Sequence, residues 1–97
     1  MNVGKVAGTV VATQKDDKLT GLKFLALEIM NFEFKPSGNM VVAVDSVGAG
    51  VGELVMYAAG SSARQTAVTE GKPVDAVIMA IIDEVTLSGE QVYKKDA

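Results

Sequence analysis

The chain carries neither histidine nor cysteine, so the imidazole base and the thiolate nucleophile of the common catalytic triads are both missing. The residues left that could do chemistry are few. Ser61 and Ser62 stand near Arg64, but no lysine lies within a turn of them to serve as a base, and a serine pair ahead of a short helix reads as an N-cap. The run GAGVGE over residues 48–53 looks at first like a dinucleotide fingerprint. Its glycines follow G-x-G-x-G, and an aliphatic strand follows where the fingerprint needs a helix to open. Gly48, Gly50 and Gly52 instead suit a corner that takes positive φ or lets two backbones approach closely. A metal would have to rest on oxygen donors from Asp45, Glu53, Asp75, Asp83 and Glu84, with no Asp-x-Asp or EF-hand spacing among them. Asp45, ahead of the glycine corner, and Asp75 read as turn carboxylates that accept backbone N–H groups. The sequence therefore assigns no catalytic residue, no cofactor-binding residue and no metal ligand.

The elements that position these residues read as strands. Residues 3–13 are rich in β-branched side chains and are interrupted by Gly4 and Gly8, a pattern suited to a bent barrel strand. A polar turn at 15–18 leads to an apolar stretch at 22–30, whose Leu, Ala and Glu content also suits a helix but which reads as a strand because Gly21 opens it and its neighbours need pairing partners. Further strands are predicted over 40–44, 53–59 and 75–85. One short helix is expected from Ala63, ended by the break at Gly71 and Pro73. The fold class is mainly β: a small five-stranded closed barrel of the OB type with one short helix, in a single domain over residues 1–97. The tail from about residue 87 adds either one more strand, with Val92 and Tyr93 packed inward, or a segment that reaches outward.

Hydrophobic residues make up 48% of the chain and aromatics only 5%, which is more aliphatic surface than one core of this size absorbs; an oligomer would take up the excess. The predicted strand at 75–85 is apolar on both faces, whereas a solvated barrel wall would alternate. One face can fill the barrel, and the other needs the helix or a second subunit. At about 25 cal/mol per Å² of apolar surface, an interface of roughly 800 Å² per partner suffices for a permanent ring. The longest apolar run, residues 76–82, falls far short of the roughly 20 residues of a membrane-spanning helix, so no membrane partner is expected. The first residues do not follow the pattern of a secretory signal, and with the lack of cysteine this places the chain in the cytoplasm. A net charge of −3 argues against nucleic acid. The competing reading is an OB-type module for single-stranded nucleic acid or oligosaccharide, which would use aromatic platforms in a basic groove. Phe24, Phe32, Phe34, Tyr57 and Tyr93 are the only aromatics, and the basic residues are scattered.

Five segments, in order, carry a resemblance: GTVVATQK at 8–15, LTGLKFL at 19–25, AVDSVGAGVGE at 43–53, GSSARQ at 60–65 and PVDAVIMAIIDEV at 73–85. With these the chain resembles the EutN/CcmL family of bacterial microcompartment vertex proteins. The resemblance implies the same small barrel and a structural role without catalysis or cofactor. The implied product is a homopentamer that closes the five-fold vertices of a polyhedral shell in the bacterial cytoplasm. The implied partners are further copies of the chain and hexameric and trimeric shell proteins. Carried over by matching positions, Asp45, Ser46, Gly48, Ala49, Gly50, Gly52 and Glu53 are expected at the subunit interface and the rim of the five-fold axis. Ser61, Ser62, Ala63 and Arg64 are expected as a turn against a neighbour, with the planar fork of Arg64 placed to pair with a carboxylate such as Glu53 or Asp75.

Overall fold

A β-bulge at Ala7 shapes the first strand. In the computed structural model, which describes residues 1–12, 16–67, 69–71 and 74–95 and gives 61 and 62 by backbone alone, β1 (Asn2–Val10) pairs with β2 (Phe24–Met30). The register slips between Val6 and Gly8, and the extra residue raises the local twist so that one long strand can serve two neighbours. The others are β3 (Pro36–Asp45), β4 (Leu54–Ala59) and β5 (Ala76–Ile81), and the barrel closes in the order β1-β2-β3-β5-β4. All neighbours are antiparallel except β3 and β5, which run parallel over a short contact, Val44 beside Val77 and Asp45 beside Ile78. At Gly4 the wall is too tight for a side chain: a Cβ there would lie 3.2 Å from Leu27 Cβ and 3.3 Å from Tyr57 Cε1.

Alternation sorts the apolar residues into two cores. Val6, Leu25, Leu27, Val55, Tyr57 and Ile78 fill the barrel. Val44, Ala58, Ala63, Val74 and Val77 form a second cluster outside it, with Leu19, Leu22 and Phe24 packed against them. That second cluster is why β5 is apolar on both faces: Ile78 points into the barrel while Val77 packs under a 3-10 turn, Gly60–Arg64.

The expected five-stranded barrel is present, with differences at its ends. The short helix is a 3-10 turn that begins at Gly60, which has φ +66°, so the serines lie inside the turn and not ahead of it. Their side chains lie outside the described residues. β3 starts at Pro36, four residues earlier than predicted. The polar turn expected at 15–18 falls partly outside the described residues; a 3-10 turn at Asp17–Leu19 follows Asp16, whose carboxylate accepts the Lys18 N–H at 2.8 Å.

The strand predicted over 75–85 is two strands. β5 stops at Ile81, and β6 (Glu84–Leu87) pairs with β7 (Glu90–Lys94) in a separate two-stranded sheet. Ser88 and Gly89 both take positive φ, +51° and +81°, as a two-residue hairpin turn matched to strand twist requires. Of the two tail residues expected to pack inward, Tyr93 is half-buried opposite Val85, whereas Val92 is exposed.

Candidate functional site

The residues between β3 and β4 form a loop held at both ends by carboxylates. At the start, Asp45 has its side chain 1% exposed and accepts N–H groups from Val47 and Gly48, both at 3.0 Å, and from Ala49 at 3.0 Å. Lys23 stands 3.4 Å away on the open side. Burial alone would raise the Asp45 carboxyl pKa, but the three N–H donors and Lys23 outweigh it and hold the group below its usual value. At the far end Glu53 accepts the Gly50 N–H through one oxygen and pairs with Lys95 at 2.8 Å through the other. The Lys95 ammonium first, then the Gly50 N–H, lower its pKa as well. Both carboxylates are thus committed to the loop's own backbone and to lysines.

Between these ends the loop is fastened to the barrel. Ser46 Oγ donates to the Ile78 carbonyl at 2.6 Å, the Gly52 N–H donates to the Val6 carbonyl at 2.8 Å, and Ala49 is buried among the barrel residues. Gly48 and Gly52 have φ of +78° and +90°, so the predicted need for positive φ holds at these two. Close approach of a second backbone does not occur at Gly50 within the subunit: what a Cβ would meet there is the Glu53 carboxylate, at 3.3 Å. The tight contact is at Gly4, against the side chains of Leu27 and Tyr57. On this stiff frame two valines, Val47 and Val51, face outward, the latter 68% exposed.

The second predicted group, Ser61 to Arg64, stands apart from the first. The loop enters β4 and the 3-10 turn leaves it, so six residues of strand, about 20 Å, separate the two. Arg64 therefore does not meet Glu53 within one subunit. Its guanidinium donates to the Val74 carbonyl at 3.1 Å, and the Glu53 partner is Lys95. Ala63 is fully buried beneath the turn.

Sequence reasoning passed over Thr69, which is buried and donates from Oγ1 to the Ala63 carbonyl. Its proton being spent there, the 2.6 Å contact with Thr66 has the Thr66 hydroxyl as donor. The threonine pair at i, i+3 was the available signal. Lys95 was overlooked too, because a lysine near the end of a charged tail gives no hint of a fixed partner. The aromatic residues are not gathered on one platform: Tyr57 is buried in the barrel, Phe24 packs against the outer cluster, and Phe32, 90% exposed between β2 and β3, borders an open cavity with Phe34, Leu87 and Val92.

Residues 1–83 match the family model described as "Ethanolamine utilisation protein EutN/carboxysome". The chain is 44% identical over 95 residues to the carboxysome shell vertex protein CcmL of Gloeobacter violaceus, covering 98% of this chain and 95% of the relative. The structure of that CcmL superposes with a TM-score of 0.95 at 43% identity over the whole of both chains. The microcompartment shell vertex protein EutN of Salmonella typhimurium is 40% identical over 95 residues, 98% of this chain and 96% of its own. The GrpN pentameric microcompartment shell protein of Rhodospirillum rubrum superposes with a TM-score of 0.80 at 42% identity, over 90% of this chain and 100% of that one.

Proposed function

From the premise that this chain belongs to the EutN/CcmL family, we infer that it is a structural shell protein, one that forms pentamers and caps the vertices of a bacterial microcompartment in the cytoplasm. The observation that carries the reading is likeness over nearly the full length to shell vertex proteins, one of them pentameric. The physical requirement is geometric, since hexagonal tiles alone make a flat sheet and pentagonal units let it close. Nothing in that role calls for turnover, and the chain works by shape and contact, not as an enzyme and without a cofactor.

A closed ring of identical subunits uses two different surfaces on each, one meeting the other around the axis. The loop of residues 45–53 supplies part of one surface in this proposal, with the rim of the five-fold axis formed by Asp45, Ser46, Gly48, Ala49, Gly50, Gly52 and Glu53. The turn of Ser61, Ser62, Ala63 and Arg64, at the other end of β4, lies on the surface that meets a neighbour. Two features support this use: the loop is pinned by both its carboxylates, and its outward residues are apolar. Hexameric and trimeric shell proteins are the further partners proposed, along the outer edges of the ring. Native mass spectrometry tests the reading. A species of five subunits that persists on dilution is expected, and Arg64→Ala should make it dissociate at a lower denaturant concentration. A monomer at micromolar concentration would overturn the assignment.

A further inference from the structure

The barrel is closed only in part along β3. Asp45 donates its N–H to the Lys23 carbonyl at 2.9 Å, so by alternation Ala43 and Val41 turn their backbone groups toward β2. Val42 and Met40 turn theirs the opposite way. On that side β5 lies beside Val44 and Asp45 alone. Ahead of β5 the Asp75 carbonyl is taken by the Gly60 N–H and the Val74 carbonyl by Arg64, and both residues border a cavity with Val42 rather than pairing with it. Among the described residues no strand runs beside Met40 and Val42. Monomeric sheet proteins blunt such an edge with charge, a bulge or a cover. Here the edge residues are Met40, 66% exposed, and Val42, 40% exposed.

A second unpaired β element lies in the same chain. The β6–β7 hairpin pairs only with itself, and a two-stranded sheet needs a further strand or a packed face to be stable in water. Its base is fixed: Lys95 donates its N–H to the Asp83 carbonyl and its ammonium to Glu53, both at 2.8 Å. The hairpin is therefore held as an arm. Among the described residues, Val92, the extra residue of a bulge in β7, is its one exposed large apolar side chain, and it borders an open cavity shared with Phe32 and Phe34 of its own subunit.

We propose that the open edge of β3 at Met40 and Val42 is a strand-pairing site for a second copy of this chain, occupied by β7 of the neighbouring subunit. The proposal rests on the ring reading above and deepens it, because an edge on one side and an arm on the other are the two unlike surfaces a head-to-tail ring requires. Main-chain hydrogen bonds hold the added strand, while Val92 covers the apolar edge residues.

The chain has no cysteine, so cross-linking is read without background. Because β7 is bulged at Val92, Met40→Cys combined with Val92→Cys, and Met40→Cys combined with Lys94→Cys, sample the bulged and the regular part of β7 opposite Met40. Under mild oxidation one of the two is expected to give a ladder of linked chains up to five on a non-reducing gel, and each single cysteine variant a dimer at most. In parallel, Val42→Pro removes an N–H that the barrel does not use, as edge strands tolerate; it should keep the far-ultraviolet circular dichroism of the wild type and lose the five-subunit mass. A wild-type pentamer with no ladder in either double variant, or a pentameric Val42→Pro, would overturn the edge assignment and leave the ring reading standing. A monomeric wild type would overturn both. Should Val42→Pro fail to fold, the cross-linking result decides alone.

Discussion

Replacing Asp45 by alanine is expected to destabilise the subunit by about 2 kcal/mol, and the value follows from which of its partners can find water. The Ala49 N–H donates to both carboxylate oxygens, at 3.3 and 3.0 Å, and Ala49 is 3% exposed. Deprived of its acceptor this donor stays dry, at a cost of about 1–3 kcal/mol. Val47 and Gly48 are exposed, so their N–H groups rehydrate and add only about a few tenths. Lys23 is more than half exposed, and a pair of that kind contributes well under about 1 kcal/mol. Asp45→Asn keeps Oδ1, the oxygen that serves Val47 and Gly48, and loses the charge, so about 1 kcal/mol is expected. The pH dependence separates the two contributions. The folded carboxyl titrates below its usual value, so the unfolded chain takes up its proton first, near pH 4. The stabilisation is complete above that range and is lost as pH falls through the folded pKa. Urea unfolding of wild type, Asp45→Ala and Asp45→Asn, followed by circular dichroism at one subunit concentration because assembly shifts the midpoint, should show the gap between wild type and Asp45→Asn in full at pH 7 and narrowing steadily as pH falls below about 4. A wild-type midpoint for Asp45→Ala at pH 7, or a gap that stays constant with pH, would refute the reasoning.

Gly4→Ala should lower stability by about 1–3 kcal/mol through overpacking against Leu27 and Tyr57. Gly8→Ala, where a Cβ meets nothing within 4 Å, should be near neutral, and equal melting temperatures for the two would contradict this. Thr69→Val strands the Ala63 carbonyl and the Thr66 hydroxyl beneath the 3-10 turn, at a cost of about 1–3 kcal/mol; an unchanged urea midpoint would show that water reaches the site. Lys95→Ala removes the largest cause of the lowered Glu53 pKa. A carboxyl NMR titration should find the Glu53 value raised, and amide exchange in the β6–β7 hairpin should quicken; if neither moves, Lys95 does not fasten the arm.

The strands were legible where chemistry and spacing agree. The β-branched run of β1 with its two glycines announced a bent strand, and the both-sided apolar pattern of β5 announced a second layer, which the structure supplies as the cluster around Val77 and Ala63. What stayed hidden has identifiable causes. The early half of β3, Pro36, Ser37, Gly38 and Asn39, is polar because its sides face solvent, so no apolar alternation marks it. The break between β5 and β6 lies at Ile82 and Asp83 without a glycine or proline, and the apolar pattern ran through it. Ser61 and Ser62 looked like caps because capping is what serines before an alanine do, yet the glycine at 60 already starts the turn. Asp45 was read correctly as a turn carboxylate, since the N–H groups that donate to it lie two to four residues away. The Glu53 to Lys95 pair spans more than forty residues, and no local pattern reports such a contact.

A shell subunit must present the same surface each time a ring closes, and every side chain or loop that orders on assembly subtracts from the interface energy, by about 0.5–1.5 kcal/mol per flexible side chain. The loop of residues 45–53 meets that cost during folding. Its carboxylates hold the backbone, Ala49 anchors it in the barrel, and what faces outward is glycine and valine, with little rotamer freedom left to lose. This also accounts for where the titratable groups stand: Asp45 and Glu53, weighed in the sequence as oxygen donors for a metal, are each engaged by N–H and lysine donors. Those donors favour the ionised forms and hold both carboxyls below their usual values. Acid that protonates both carboxylates should therefore loosen the loop before it opens the barrel, whose own core contains no ionisable group other than Tyr57 among the described residues. Amide exchange followed down a pH series, corrected for intrinsic rates, would show protection at Gly48, Ala49 and Gly50 falling ahead of that at Leu25 and Val55; simultaneous loss would mean that the loop and the barrel share one cooperative unit and that the carboxylates do not set the order of opening.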